Sequence, residues 1–301
     1  VSFVRRRIEL VIRLGQGQFG NDGSNTVTLT GYRVIVHIEK VAGPGLGLAS
    51  IRIFGLSKDL MSALSALNNA DMAQRKNIIA VLAGDDEVGM ALVFQGCIMD
   101  GRPFMNEAPE ASLLLTAQGG GSAIVQRSQP ISYQGSADVA TIASSIAAAA
   151  GWNFQNFGVQ MKLQTPYLWG DPVAQWRQLA EAGEGQFHCQ LDDGDGKDKA
   201  QTLVLWPVSG SRGGLIPLIS PATGLVGYPN YSTSVVGLDI KTRFNPSLAI
   251  GGKVQIQNDE SCPLTSANGI WKVWNIVHDL ESESPGGPWF TSFNAAFPEQ
   301  S

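Results

Sequence analysis

The amino-acid sequence predicts a mainly β protein in which two antiparallel β-barrel domains flank a small α/β insert. Apolar and polar residues alternate with period two in the first and last thirds of the chain, the pattern of half-buried strands. Helical periodicity is confined to the middle. The 35 glycines and 15 prolines supply the frequent turns that many short strands need.

Residues 8–14 form an apolar strand followed by a glycine-rich turn, and 26–41 then alternate through Val27, Leu29, Val34, Val36 and Ile38. The turn Gly43-Pro44-Gly45-Leu46-Gly47 leads into a strand at 49–54. A short helix follows, N-capped by Ser57, with Leu60, Met61, Leu64 and Leu67 on one face and Asn68-Asn69 at its end. Strands at 78–83 and 89–99 return the chain to the sheet. A twisted sheet of this kind removes its exposed edges by closing into a small barrel.

In the middle, Ser136 caps a helix over 136–150; Val139, Ile142 and Ile146 share its apolar face and Gly151 stops it. Asp171-Pro172 opens a second helix, an N-cap followed by a first-turn proline, with Val173, Trp176, Leu179 and Ala180 as its stripe and Gly183 at its end. Strands at 186–191 and 202–206 flank an acidic loop, 192–199. The last third has strands at 234–244, 253–257, 270–280 and 289–297, separated by turns such as Asn245-Pro246 and Gly251-Gly252. The expected division is a first barrel over 1–107, strands at 108–135 that join and contribute to the second barrel, an α/β insert over 136–214, and the second barrel over 215–301.

Only 16% of the 301 residues are charged, against roughly 25% in an average soluble domain, so polar surface should be buried or paired with other subunits. A net charge of −5 and a pI of about 5.2 argue against specific nucleic-acid binding, which calls for a basic stripe. The one basic cluster, Arg5-Arg6-Arg7, reads as a solvated or interface-facing strand end. Cys97, Cys189 and Cys262 are odd in number and lack CxxC spacing, as expected of reduced thiols in a protein made in the cytosol. No secretion signal is expected, because Glu9 and Arg13 interrupt the first apolar stretch. The most apolar helix, 139–150, is too short for a bilayer, so no membrane anchor is expected.

Each motif that suggests chemistry has a plainer reading. Gly15-Gln16-Gly17-Gln18-Phe19-Gly20 matches GxGxxG, but a dinucleotide site needs a helix to start there, and Asn21-Asp22-Gly23-Ser24-Asn25 followed by a strand makes a hairpin instead. Asp192, Asp193, Asp195 and Asp198 approach a calcium loop, but Lys197 occupies a ligand position and a solvated turn is favoured. Whether a metal binds 192–198 stays open at this level. His37, His188 and His278 are isolated, and His188 and Cys189 point to opposite faces of a strand. The tryptophans at 152, 169, 176, 206, 271, 274 and 289 lie mostly in apolar patterns and read as packing rather than as a carbohydrate face. No catalytic, cofactor-binding or metal-ligating residues are assigned, and the chain is not expected to be an enzyme.

Val27-Thr28-Leu29-Thr30-Gly31-Tyr32-Arg33, with Ile51-Arg52-Ile53-Phe54-Gly55-Leu56-Ser57, resembles the opening barrel of bacteriophage baseplate hub proteins. Asp138-Val139-Ala140 to Ile146 with Gly151, then Asp171-Pro172-Val173-Ala174-Gln175-Trp176-Arg177-Gln178-Leu179-Ala180 and Gly183, is similar to the helix pair of late control proteins of contractile tails; Ala182-Gly183-Glu184 departs slightly from that family's ending. Gly269-Ile270-Trp271-Lys272-Val273, His278-Asp279-Leu280 and Gly287-Pro288-Trp289 look like the closing strands of the second barrel. The resemblance covers nearly the whole chain.

The resemblance implies two tail-tube-like barrels per subunit, so that a homotrimer presents six around a channel and joins a sixfold tail tube to a threefold central spike. Implied partners are the tail tube protein, the central spike protein, the tape-measure protein and surrounding baseplate wedge or tail-fibre proteins. The implied place is the virion, at the baseplate or tail tip, after assembly in the host cytoplasm. DNA would pass through the lumen without specific binding, and the acidic net charge leads us to expect a lumen that repels it. The family offers no catalytic residue or cofactor to carry over. Two other readings stay open: a tail-associated cell-wall hydrolase, since carboxylate spacing is set by the fold, and the spike-base protein of a type VI secretion or pyocin-like injection machine.

Overall fold

The computed structural model describes residues 5–19, 23–65, 74, 76–87, 89–106, 110–194, 200–233, 236–259 and 264–296. It is mainly β with a small α/β insert, as the sequence patterning predicts. The first part contains β1 (Arg6–Arg13), β2 (Thr26–Leu29), β3 (Val34–Val41), β4 (Leu48–Phe54), α1 (Lys58–Ala63), β5 (Ile78–Asp85), β6 (Gly89–Phe104) and β7 (Ser112–Gln118). They hydrogen-bond in the order β3-β4-β7-β6-β5-β1-β2. Alternation decides what is buried: Ile8, Leu10 and Ile12 of β1, Val34, Val36 and Ile38 of β3, and Ala49, Ile51 and Ile53 of β4 all enter one core. The sheet curls around that core, and Met61 and Leu64 of the α1 region plug it. No ladder among the described residues joins β2 to β3. Ser57 caps α1 as expected, whereas Leu67, Asn68 and Asn69 lie outside the described residues.

The insert comprises α2 (Gly121–Ile124), β8 (Ile131–Ser132), β9 (Ser136–Asp138), α3 (Val139–Ala150), β10 (Asn153–Asn156), β11 (Lys162–Gln164), β12 (Tyr167–Leu168), α4 (Pro172–Ala182), β13 (Phe187–Asp192) and β14 (Thr202–Pro207). β14 is central in a three-stranded sheet, parallel to β10 and antiparallel to β13. Val139, Ile142 and Ile146 of α3 meet Val173, Trp176 and Leu179 of α4 in the core of this unit. Asp171 accepts hydrogen bonds from the backbone of Val173 and Ala174, completing the expected N-cap.

Two expectations are corrected here. The cap of α3 is Asp138, whose carboxylate accepts from Thr141 N, while Ser136 belongs to strand β9 and pairs with Gln164. The segment 108–135, expected to contribute to the second barrel, puts β7 between β4 and β6 in the first sheet region. Its later part runs into the insert, where β8 pairs with β12. The apolar run in β7 satisfies either barrel as a pattern; only long-range pairing decides between them.

The last part contains β15 (Leu218–Ile219), β16 (Asn230–Tyr231), β17 (Gly237–Arg243), β18 (Lys253–Ile256), β19 (Gly269–Glu281) and β20 (Trp289–Ala296). These strands are not a separate sheet. β19 pairs with β3, so one 13-stranded sheet runs through both parts in the order β16-β17-β20-β19-β3-β4-β7-β6-β5-β1-β2, with β18 and β15 branching from β19. The first residues of β19, 269–272, pair with β18, and its residues 275–281 pair with β3. An irregularity in its pairing with β20, between Val273 and Asn275, coincides with this change of partner. A local bend there lets one strand serve both regions.

Candidate functional site

The structural focus of the molecule is the junction where β3, β19 and the insert meet. β14 explains why. Its sequence TLVLWP is nearly continuous in apolar residues, because both of its faces are covered. Leu203 and Leu205 point into the insert core, while Val204 and Trp206 point into the core of the last part with Ile240, Val254, Ile276 and Phe293. Burying each such side chain contributes about 1.5–3 kcal/mol relative to exposing it, so the insert forms part of that core. Arg212 locks the arrangement: it pairs with Asp192, donates to Ile250 O at 3.0 Å, and lies 5.7 Å from the Trp206 ring centroid.

A polar clamp ties the insert to the first sheet region. Lys40, at the end of β3, meets Asp193 Oδ2 at 2.5 Å, and Gln95 N donates to Asp193 Oδ1 at 2.8 Å. Gly194 N donates to Gln95 Oε1 at 3.1 Å, and Gln201 Nε2 to Gln95 O at 3.1 Å. Gly43 N donates to Cys189 O at 3.0 Å. Asp192 and Asp193 therefore act in fastening the insert, each held by a cation. Asp195, Lys197 and Asp198 lie outside the described residues. Among the described residues no group of three or more His, Cys, Asp and Glu side chains is placed to hold a metal ion.

The histidines are not isolated, contrary to expectation, but they do not form one constellation. His37 Nδ1 lies 2.6 Å from Asp279 Oδ1 and its Nε2 lies 2.9 Å from Glu39 Oε1. These hydrogen bonds, Glu39 first and Asp279 second, raise its pKa above 6.5. His278, one residue along β19, faces inward, shares a hydrogen bond of 2.9 Å with Thr291 Oγ1, and burial drives its pKa down to about 3. His188 packs between Trp206 and Trp274, with ring centroids at 5.7 and 5.1 Å, and burial lowers its pKa. Burial pushes the Cys97 thiol up to about 11 and that of Cys189 to about 12, which disfavours the thiolate form of both. Cys262 lies outside the described residues.

The remaining motifs follow the plainer readings. Residues 15–19 lie between β1 and β2 with Phe19 bridged to Ser24, and Gly15 N donates to the Asn77 side chain at 3.1 Å; Gly20 to Asp22 lie outside the described residues. Trp152, Trp176, Trp206, Trp271 and Trp289 are buried, while Trp169 stands 61% exposed. Arg5 and Arg7 are ion-paired, to Glu283 and Asp86. No helix among the described residues is long and apolar enough to cross a membrane. Sequence reasoning missed the pairs that span the chain: His37–Asp279, Lys40–Asp193 and Arg33–Glu281, the last at 3.0 Å. Nothing local marks them, since each depends on which distant segments come together.

Some of the exposed apolar side chains lie at the borders of the sheet. Leu218 lies in the short edge strand β15 with Leu215 shortly before it, and Tyr231 lies in the edge strand β16 with Val236 after it. Leu218 and Ile270 stand either side of Gln255 in adjacent strands, on one face.

No protein-family model matches the sequence, and no curated protein matches it. The fold does match solved structures. One is a component of the type VI secretion system of E. coli, itself structurally similar to the T4 bacteriophage tail proteins gp27 and gp5: TM-score 0.61, 11% identity, 89% of this chain and 74% of that one. Others are a tail protein from Neisseria meningitidis MC58, with TM-score 0.59, 12% identity and 96% of both chains, and the 43 kDa tail protein of prophage MuSo2 from Shewanella oneidensis, with TM-score 0.58, 13% identity, 97% of this chain and 98% of that one. Over nearly its whole length, the chain has the fold of these tail proteins.

Proposed function

We propose that the chain is a structural hub subunit of a phage-type tail, without catalytic activity, that assembles as a homotrimer. The observation that carries this reading is the β3–β19 ladder, which sets two curled sheet regions side by side in one continuous sheet. Three such subunits offer six similar regions around an axis, which suits a junction between a sixfold tail tube and a threefold spike. The likeness in fold to tail proteins at both full-length matches supports it. Exposed apolar residues at the sheet borders suit burial between subunits, where unpaired strand edges also need cover. In this reading the partners are the tail tube and spike proteins, with the tape-measure protein and peripheral baseplate proteins nearby, and the channel passes DNA.

The test is the solution mass of the purified protein across a concentration series. A species near three times the 32.0 kDa chain, about 96 kDa, with ring-shaped particles in electron micrographs, is the expected result. A monomer at every concentration that also releases fragments from purified peptidoglycan would favour the hydrolase reading instead.

A second reading, the spike base of a type VI secretion machine, is favoured by the E. coli match. It keeps the same ring and changes what passes through it. Co-purification with a secretion-system tube protein rather than a phage tube protein separates the two.

A further inference from the structure

We propose that the cleft between the β1/β5–β6 side and the β19–β20 hairpin binds an acidic peptide segment that carries an aromatic side chain. The cleft measures about 920 Å³, within the roughly 300–1,000 Å³ range of ligand pockets. It opens between the two regions of the sheet, so its walls come from distant parts of the chain.

Its aromatic floor is held firmly. Phe244 and Trp289 meet edge to face with centroids 5.4 Å apart, and Phe244 N donates to Trp289 O at 3.0 Å. Met90 and Pro246 add to the apolar lining of the cleft. A ring inserted there gains the edge-to-face contacts that aromatic pairs favour.

The charges decide what else the occupant must carry. Arg5, Arg6 and Arg243 line the cleft, as do Asp85, Glu281 and Glu283. Glu283 is taken up by Arg5 at 2.7 Å and Glu281 by Arg33 at 3.0 Å, while Asp85 accepts from Glu87 N at 2.9 Å. Arg6 donates to Gly287 O at 3.0 Å and lies 5.8 Å from the Trp289 ring centroid, with no carboxylate partner among the described residues. Arg243 is exposed and likewise has none there. Two guanidinium forks beside an aromatic floor match a peptide that presents carboxylates on either side of a ring. A nucleic-acid strand fits less well, because its continuous charge would meet the three carboxylates on the same walls.

The test is fluorescence anisotropy on the full chain with a labelled seven-residue peptide in which two glutamates flank one phenylalanine. Control peptides replace the glutamates by lysine or the phenylalanine by alanine. The acidic aromatic peptide is expected to bind at least tenfold more tightly than either control, and Arg243→Glu, at an exposed unpaired side chain, is expected to weaken it tenfold or more with an unchanged melting temperature. Equal binding of the controls, or no effect of Arg243→Glu, overturns the proposal. So does complete displacement by low-millimolar inorganic phosphate, which would mark a simple anion site, or self-association that Arg243→Glu abolishes, which would mark a face for a second copy of this chain. The proposal does not rest on the ring reading: a trimer that ignores the peptide defeats only the cleft, and a monomer that binds it defeats only the ring.

Discussion

His37 on β3 and Asp279 on β19 face each other in register, with Nδ1 2.6 Å from Oδ1, across the ladder that joins the two regions of the sheet. Glu39, two residues along the same face of β3, holds the other ring nitrogen at 2.9 Å. An imidazolium can donate to both carboxylates at once; a neutral ring can donate to only one.

This predicts the sign of a pH effect. The folded-state pKa of His37 is raised by Glu39 and then Asp279, so the stabilisation is complete below the unfolded value of 6.5 and is lost as pH rises through the higher folded value. With 46% of the side chain exposed, solvent screening limits the effect to less than about 1 kcal/mol. Thermal melts from pH 6 to 9 should show wild type losing its advantage over His37→Gln as pH rises. A constant difference across that range would count against the pairing.

His278 predicts the opposite slope. It is fully buried, and its pKa falls from 6.5 to about 3, so folding excludes a proton that the unfolded chain takes up. Stability should therefore fall as pH drops below 6.5 and continue falling toward the folded value, by up to about 1.4 kcal/mol per pH unit. Proton-detected NMR should find one imidazole that does not titrate above pH 5, and His278→Gln should flatten the acid limb of the stability curve.

The longer strands and both long helices were legible in the sequence because their signals are local, whereas the short strands β9 to β12, β15 and β16 were not. Val34, Val36 and Ile38 alternate, and Asp171-Pro172 marks a helix start by itself. Ser136 failed as a cap because Asp138 is an equally good capping residue two positions on, and choosing between them required knowing that Ser136 pairs with Gln164. The junction was hidden for the same reason on a larger scale. His37 and Asp279, or Lys40 and Asp193, come together only once β3 is known to lie beside β19 and β6 beside the insert, and register carries no local mark. The acidic residues drew attention as possible ligands, yet Asp192 and Asp193 are spent on Arg212 and Lys40.

That use of Asp193 is testable. Its side chain is 15% exposed and that of Lys40 is 20% exposed, and Asp193 also accepts from Gln95 N. Replacing Asp193 by Ala leaves a half-buried ammonium and a backbone donor without their acceptor, which should cost about 1–3 kcal/mol. Hydrogen exchange should speed up in β13 and at Gln95 while β1 and β5 stay protected. A double-mutant cycle with Lys40→Ala should return a coupling of about 1 kcal/mol or more; additive losses would mean that the pair does not hold the insert down.

Gly251 provides the sharpest local test of how the insert is seated. It sits at φ +74 in the turn before β18, and a Cβ added there would lie 2.5 Å from the buried ring of Trp206. Its backbone is also fixed on both sides, N donating to Val273 O at 2.8 Å and O accepting from Arg212 N at 2.8 Å, so the turn cannot retreat. Gly251→Ala thus combines left-handed backbone strain with overpacking against the tryptophan that links β14 to the last core, and should cost more than about 2 kcal/mol. Gly135, at φ +84 with nothing within 4 Å of its added Cβ, isolates the backbone part, and Gly135→Ala should cost only about 1 kcal/mol. Denaturant melts give the two losses, and near-ultraviolet circular dichroism reports the tryptophan. Equal losses with an unchanged tryptophan signal would show that the Trp206 ring has room to move, and that the insert is seated less tightly than its packing indicates.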